Sequence, residues 1–164
     1  MMKSIFKTQF VITTIVLVTM FLYLKERYYI AFDQQDQPCL LTTVFLVDRW
    51  ASADDFKQGD LMAYEYHMEN TLLPKGMILV KRVAATPNSD IVFNGLMAQS
   101  NGKTFHANIT GELDRLGVHM PNEVNYSTKE GEFFLVGETE YSYDSRYWGS
   151  AMQTNIVGKV YAIF

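Results

Sequence analysis

The hydrophobic pattern divides the chain at about residue 25. From Phe10 to Leu24 it reads FVITTIVLVTMFLYL, without a charge, and Lys7 and Lys25 bracket the run. Counted from Thr8, the stretch is 17 residues, at the short end of what crosses a bilayer as a helix. The flanking lysines can reach the two interfaces, and Tyr23, Tyr28 and Tyr29 suit an interfacial aromatic belt. A cleaved signal peptide would need small residues after the run; Leu22, Tyr23, Leu24, Lys25 and Glu26 follow instead. The expectation is an uncleaved anchor over 10–27, preceded by a cytoplasmic tail, 1–9, and followed by an exported domain, 28–164. Lys3, Lys7 and the terminal amine weigh slightly towards an amino terminus inside.

Beyond the anchor the pattern changes to short apolar runs broken by turn residues. Tyr28 to Pro38, with its DQQDQ run, reads as a polar connector. Thr43–Asp48, Leu61–Tyr66, Met77–Ala84, Ile91–Phe93, Phe133–Gly137 and Ile156–Ile163 are rich in β-branched and aromatic residues. Gly, Pro, Asn and Asp separate them, as strand boundaries require. Asn94-Gly95 and Asn101-Gly102 suit tight type I′ turns, so Ile91–Thr110 predicts a small meander. Gly111–Leu116 alone hints at a helical turn. The predicted fold class is mainly β, preceded by one transmembrane helix.

Composition narrows the function. With 48% apolar residues, 164 residues can build one domain core. Two of the fourteen basic residues lie before Leu24, which leaves twelve against eighteen acidic ones in the remainder. Such an acidic balance argues against a nucleic-acid surface. Cys39 is the single cysteine, so an internal disulfide is impossible; its thiol is either a buried filler or a reactive group. His67, His106 and His119 lack metal-ligand spacing. Asn108-Ile109-Thr110 and Asn125-Tyr126-Ser127 are glycosylation acceptors by pattern only.

Alternation in the third predicted strand puts Met77, Leu79, Lys81 and Val83 on one face. Apolar neighbours disfavour a charged amine, and a neutral amine can take a proton from a hydroxyl or thiol. An edge-strand lysine reaching out to water is the other reading of the same spacing.

The run Lys81-Arg82-Val83-Ala84-Ala85-Thr86-Pro87-Asn88-Ser89-Asp90 resembles the lysine box of signal peptidase I. Further resemblance lies in Gly131–Gly137, in Ser142-Tyr143-Asp144-Ser145-Arg146-Tyr147-Trp148-Gly149, in Ile156-Val157-Gly158 and in Gly59-Asp60. It extends from Gln37 to Phe164. It implies the signal peptidase β fold, a site near the membrane surface, Lys81 as general base, and no metal or organic cofactor. By the same analogy Ser142 orients Lys81, and Asp144 and Arg146 form a structural ion pair. The short segment between the boxes, with Asn94-Gly95 and Leu113–Pro121, is similar to the TraF-type peptidases of conjugative transfer systems. That implies a prepilin-like, membrane-tethered partner at a bacterial inner membrane, with the catalytic domain on the periplasmic side.

The chain departs from the family at the nucleophile, since no serine stands in the family's proline-containing motif. Counting back from Lys81 by roughly the family interval gives Pro38-Cys39, with Cys39 42 residues upstream. A thiolate is the stronger nucleophile, which makes Cys39 the candidate. Gln37, two positions earlier, is the candidate second donor to an oxyanion. Gly137-Glu138-Thr139 stands where the family often has glycine-aspartate-asparagine. Ser52 is a rival nucleophile at the wrong spacing, and a Cys–His peptidase using His67 is a further alternative. So is an inactive scaffold that binds pilin or secretion-channel subunits.

Overall fold

The computed structural model describes residues 2–33, 35, 38–69, 73–94, 97–106, 123–139 and 142–164. A 26-residue helix, α1 (Met2–Arg27), leads directly into strand β1 (Tyr28–Phe32). Its Thr8–Arg27 portion is long and apolar enough to cross a membrane, and none of it is buried against the rest of the protein. β1 corrects the expected polar connector. Tyr28, Tyr29, Ile30, Ala31 and Phe32 pair antiparallel with β2 (Val44–Asp48), Tyr28 opposite Asp48 and Phe32 opposite Val44. The polar run begins only at Asp33.

The other strands are β3 (Leu61–Glu65), β4 (Ile78–Ala85), β5 (Asp90–Phe93), β6 (Met97–Ser100), β7 (Lys103–His106), β8 (Val124–Ser127), β9 (Glu132–Val136), β10 (Ala151–Met152) and β11 (Ile156–Ala162). A single-turn helix, α2 (Ser145–Trp148), lies between β9 and β10. One antiparallel sheet has the order β1-β2-β11-β3-β4-β9-β10; a second has the order β7-β6-β5-β8. The fold is mainly β. All six strands read from β-branched and aromatic runs are present, with ends shifted by a residue or so. The meander appears as β5-β6-β7, Asn101 and Gly102 taking positive φ at its second turn. Gly95 and the Gly111–Leu116 turn lie outside the described residues.

Period two serves three cores at once. In β3, Met62 and Tyr64 face a cluster with Leu79, Val83, Phe133, Leu135 and Trp148; Leu61 and Ala63 face another with Phe45, Val47 and Val160. β9 alternates likewise, with Phe134 and Val136 packed against Ile91 and Phe93 of the second sheet. Both faces of β3, β4 and β9 are therefore covered, which fixes their register: a one-residue slip would exchange two cores. The residues of the lysine box are held in that register.

Candidate active site

Lys81 pairs across the ladder with Met62 and is 1% exposed. Leu79 and Val83 share its face. Its Nζ donates to Ser142 Oγ at 2.9 Å, and Ser142 Oγ donates to Asp144 Oδ2 at 2.8 Å. Asp144 caps α2, accepting from the Arg146 N–H at 3.2 Å. The Arg146 guanidinium returns to the same carboxylate, with Nε 2.8 Å from Oδ1 and a terminal nitrogen 2.6 Å from Oδ2. The Gly137 N–H adds a bond to Oδ2 at 2.8 Å. Burial alone would raise the Asp144 carboxyl; the charge and hydrogen bonds of Arg146, the Lys81 side chain and the Gly137 N–H outweigh it and hold the group below the usual aspartate value.

This arrangement fixes the direction of one proton. A hydroxyl has a single hydrogen, and that of Ser142 is committed to the Asp144 carboxylate, so its oxygen can only accept from Lys81. A neutral Lys81 then keeps its lone pair free of Ser142. Lys81 also lines a cleft of about 450 Å³, whose walls include Tyr29 and Ala31 from β1, Leu79 from β4, and Cys39. Lys81 and Cys39 therefore line one and the same cleft.

The Cys39 segment, although irregular, is fastened in place. The Glu138 N–H donates to the Cys39 carbonyl at 2.8 Å, and Thr139 Oγ1 to the Pro38 carbonyl at 2.6 Å. The Leu41 N–H donates to Glu138 Oε2 at 3.2 Å, while Arg82, the neighbour of Lys81, grips Oε1 of the same carboxylate. A Cβ at Gly137 would overlap Ser142 and lie 2.8 Å from the Cys39 carbonyl oxygen. Gly137-Glu138-Thr139 therefore stands between the Lys81–Ser142 pair and the Cys39 backbone. The sequence shows Arg82 only as part of the lysine box, and Glu138 and Thr139 only as a departure from the family triplet, without the contacts they make. The only signal was the unusual triplet itself, because the Arg82–Glu138 pairing spans 56 residues.

Cys39 is half-buried, its Sγ 3.9 Å from Gln35 Oε1. Gln37 lies outside the described residues, as do Leu113–Pro121 and His119. Ser52 N and Oγ both bond the Asp55 carboxylate, which closes a short 3₁₀ turn, and Ser52 is not among the cleft residues. His67 Nδ1 lies 2.5 Å from the buried Tyr64 hydroxyl and also lines no part of the cleft. Among the described residues, no group of three or more His, Cys, Asp or Glu side chains is placed to hold a metal ion.

A family model described as signal peptidase, peptidase S26, matches residues 2–164. Among solved structures, a signal peptidase I from Enterococcus faecalis is similar at 17% identity and a TM-score of 0.43, over 63% of this chain and 95% of that one. No curated protein matches.

Proposed function

The chain belongs to the signal peptidase family, peptidase S26, and from that premise we propose that it cuts a membrane-tethered precursor through a thioester on Cys39, with Lys81 as general base. The observation that carries the reading is the cleft shared by Cys39 and a buried Lys81, whose partner Ser142 can only accept its hydrogen. Lys81 takes the thiol proton as sulfur attacks the scissile carbonyl. The proton then passes to the departing amine as the C–N bond breaks. The Cys39 backbone N–H and the Gln37 side chain are the proposed donors to the oxyanion. Asp144 and Arg146 fix Ser142 and take no proton. α1 is the anchor (10–27, after a tail at 1–9), and residues 28–164 are the exported domain on the periplasmic side of a bacterial inner membrane. The substrate class is a prepilin-like precursor, on the strength of the short TraF-like segment between the boxes.

A thioester passes its acyl group to amines more readily than an oxygen ester does, so the same intermediate suits joining of peptide ends as well as hydrolysis. Attack by the pilin's own amino terminus forms an amide and returns the thiol. The test is the mass of the product made by the full chain and by Cys39→Ala. A joined product is lighter than the trimmed linear one by one water, about 18 Da, a difference set by the acyl-transfer stoichiometry. Unchanged maturation by Cys39→Ala removes Cys39 from the mechanism; a linear product alone removes the joining step and leaves the peptidase.

A further inference from the structure

No residue separates the apolar helix from the first strand: α1 ends at Arg27 and β1 begins at Tyr28. A bare peptide connection would still allow the domain to swing about the helix, since each residue keeps two soft dihedrals. Here that freedom is blocked from several directions. The Arg27 guanidinium forks onto Asp48, with Nε 3.0 Å from Oδ1 and a terminal nitrogen 2.7 Å from Oδ2. The Trp50 N–H adds a bond to the same carboxylate at 3.1 Å, and the Arg27 carbonyl accepts the Arg49 N–H at 2.9 Å. One turn back on the helix, Tyr23 accepts from Arg27 at 3.0 Å and meets the Trp50 ring edge-on, centroids 5.2 Å apart. Asp48 is only 4% exposed, so a swing of the helix would leave a buried carboxylate without its cation. A forked guanidinium–carboxylate pair also fixes a plane, which a point charge would not.

The same elements reach the cleft. Asp48 closes β2 between Tyr28 of β1 and Lys159 of β11, and the register runs on from Lys159 to Met62 and from Met62 to Lys81. β1, the direct continuation of the helix, contributes Tyr29 and Ala31 to the cleft wall.

We propose that Tyr23, Arg27, Asp48 and Trp50 form a rigid joint that sets the distance of the Lys81 cleft from the bilayer, and so selects scissile bonds at one distance from the precursor's own membrane segment. The selection half rests on the peptidase reading above; the rigidity half does not. These four are positioning residues, acting through the placement of the whole domain.

The sole cysteine makes the test clean. In a Cys39→Ser background, spin labels are placed at Val16→Cys on the exposed helix and Glu65→Cys at the exposed end of β3, and the full chain is reconstituted in phosphatidylethanolamine–phosphatidylglycerol vesicles. The dipolar distance distribution is expected to be single and narrow, and to widen at least about twofold in Arg27→Gln, as loss of a forked pair implies. Tyr23→Ala/Trp50→Ala, at two exposed side chains, should widen it without touching the buried carboxylate. Equal widths in all three overturn the joint. A second arm uses precursors carrying the small-residue, Ala-x-Ala-like site typical of exported precursors, at graded distances from their membrane segment. The chain with its native joint should cut a narrow range and the joint variants a broader one. Equal ranges overturn the selection, whereas absence of all cutting by the native chain refutes the peptidase reading and leaves the spin-label result standing.

Discussion

Lys81 Nζ lies 2.9 Å from Ser142 Oγ, and both side chains are withdrawn from solvent. Because the serine hydrogen is committed to Asp144, the contact orients the amine without consuming its lone pair. Ser142→Ala should therefore lower turnover about 10- to 100-fold with little change in KM, through loss of orientation of a general base. Lys81→Ala and Lys81→Arg should abolish cutting while circular dichroism shows an intact fold, since a guanidinium stays protonated at any workable pH. Initial rates on an Ala-x-Ala precursor check all three, and robust turnover by either lysine variant contradicts the role.

Gly137 has no room for a side chain between Ser142 and the Cys39 carbonyl. Its backbone conformation is not the constraint; space is. Gly137→Ala should displace Ser142, cost about 1–3 kcal/mol by overpacking and remove activity out of proportion to that loss. Thermal melts beside rate measurements separate the two effects.

Enrichment in β-branched and aromatic residues made the strands legible, because β3, β4 and β9 bury both faces and so read as nearly continuous apolar runs. It failed at β1, where Tyr28 and Tyr29 read equally well as interfacial aromatics, and only pairing with β2 shows them to be a strand. The Lys81–Ser142 contact, across 61 residues, came into view through family resemblance and not through spacing. The pairings in the two clamps, Arg82–Glu138 and Arg27–Asp48, are not legible locally, since each depends on how the sheet brings distant segments together. The same holds for Thr139, whose partner is the Pro38 carbonyl 101 residues earlier.

The Asp144–Arg146 pair makes a prediction about acid. The folded-state carboxyl sits below its ordinary value, so the pair's contribution is present above the unfolded aspartate range, near pH 4, and is lost as pH falls through the lower folded value. Thermal midpoints should be insensitive to this group from pH 7 to about pH 5 and fall below about pH 4. Arg146→Met should cost about 3–5 kcal/mol at neutral pH, because it strands a buried carboxylate. A variant as stable as the parent at pH 7 contradicts this account of the pair.

The proposed topology rests on the apolar span and its flanking charges. Alkaline phosphatase fused after Phe164 should be active in cells, and a cytoplasmic reporter fused there should be silent. The reverse pattern places the domain on the wrong side of the membrane for an exported precursor.

In the proposed reaction the acyl group passes through Cys39. The full chain in vesicles is mixed with an Ala-x-Ala precursor, quenched in acid during the first turnover, and mapped by peptide mass spectrometry. The precursor's amino-terminal fragment is expected on Cys39 as a hydroxylamine-sensitive thioester, and on no residue in Cys39→Ala or Lys81→Ala. An acyl group found on Ser52 or another hydroxyl, or cutting by Cys39→Ala at the parent rate, would contradict the account.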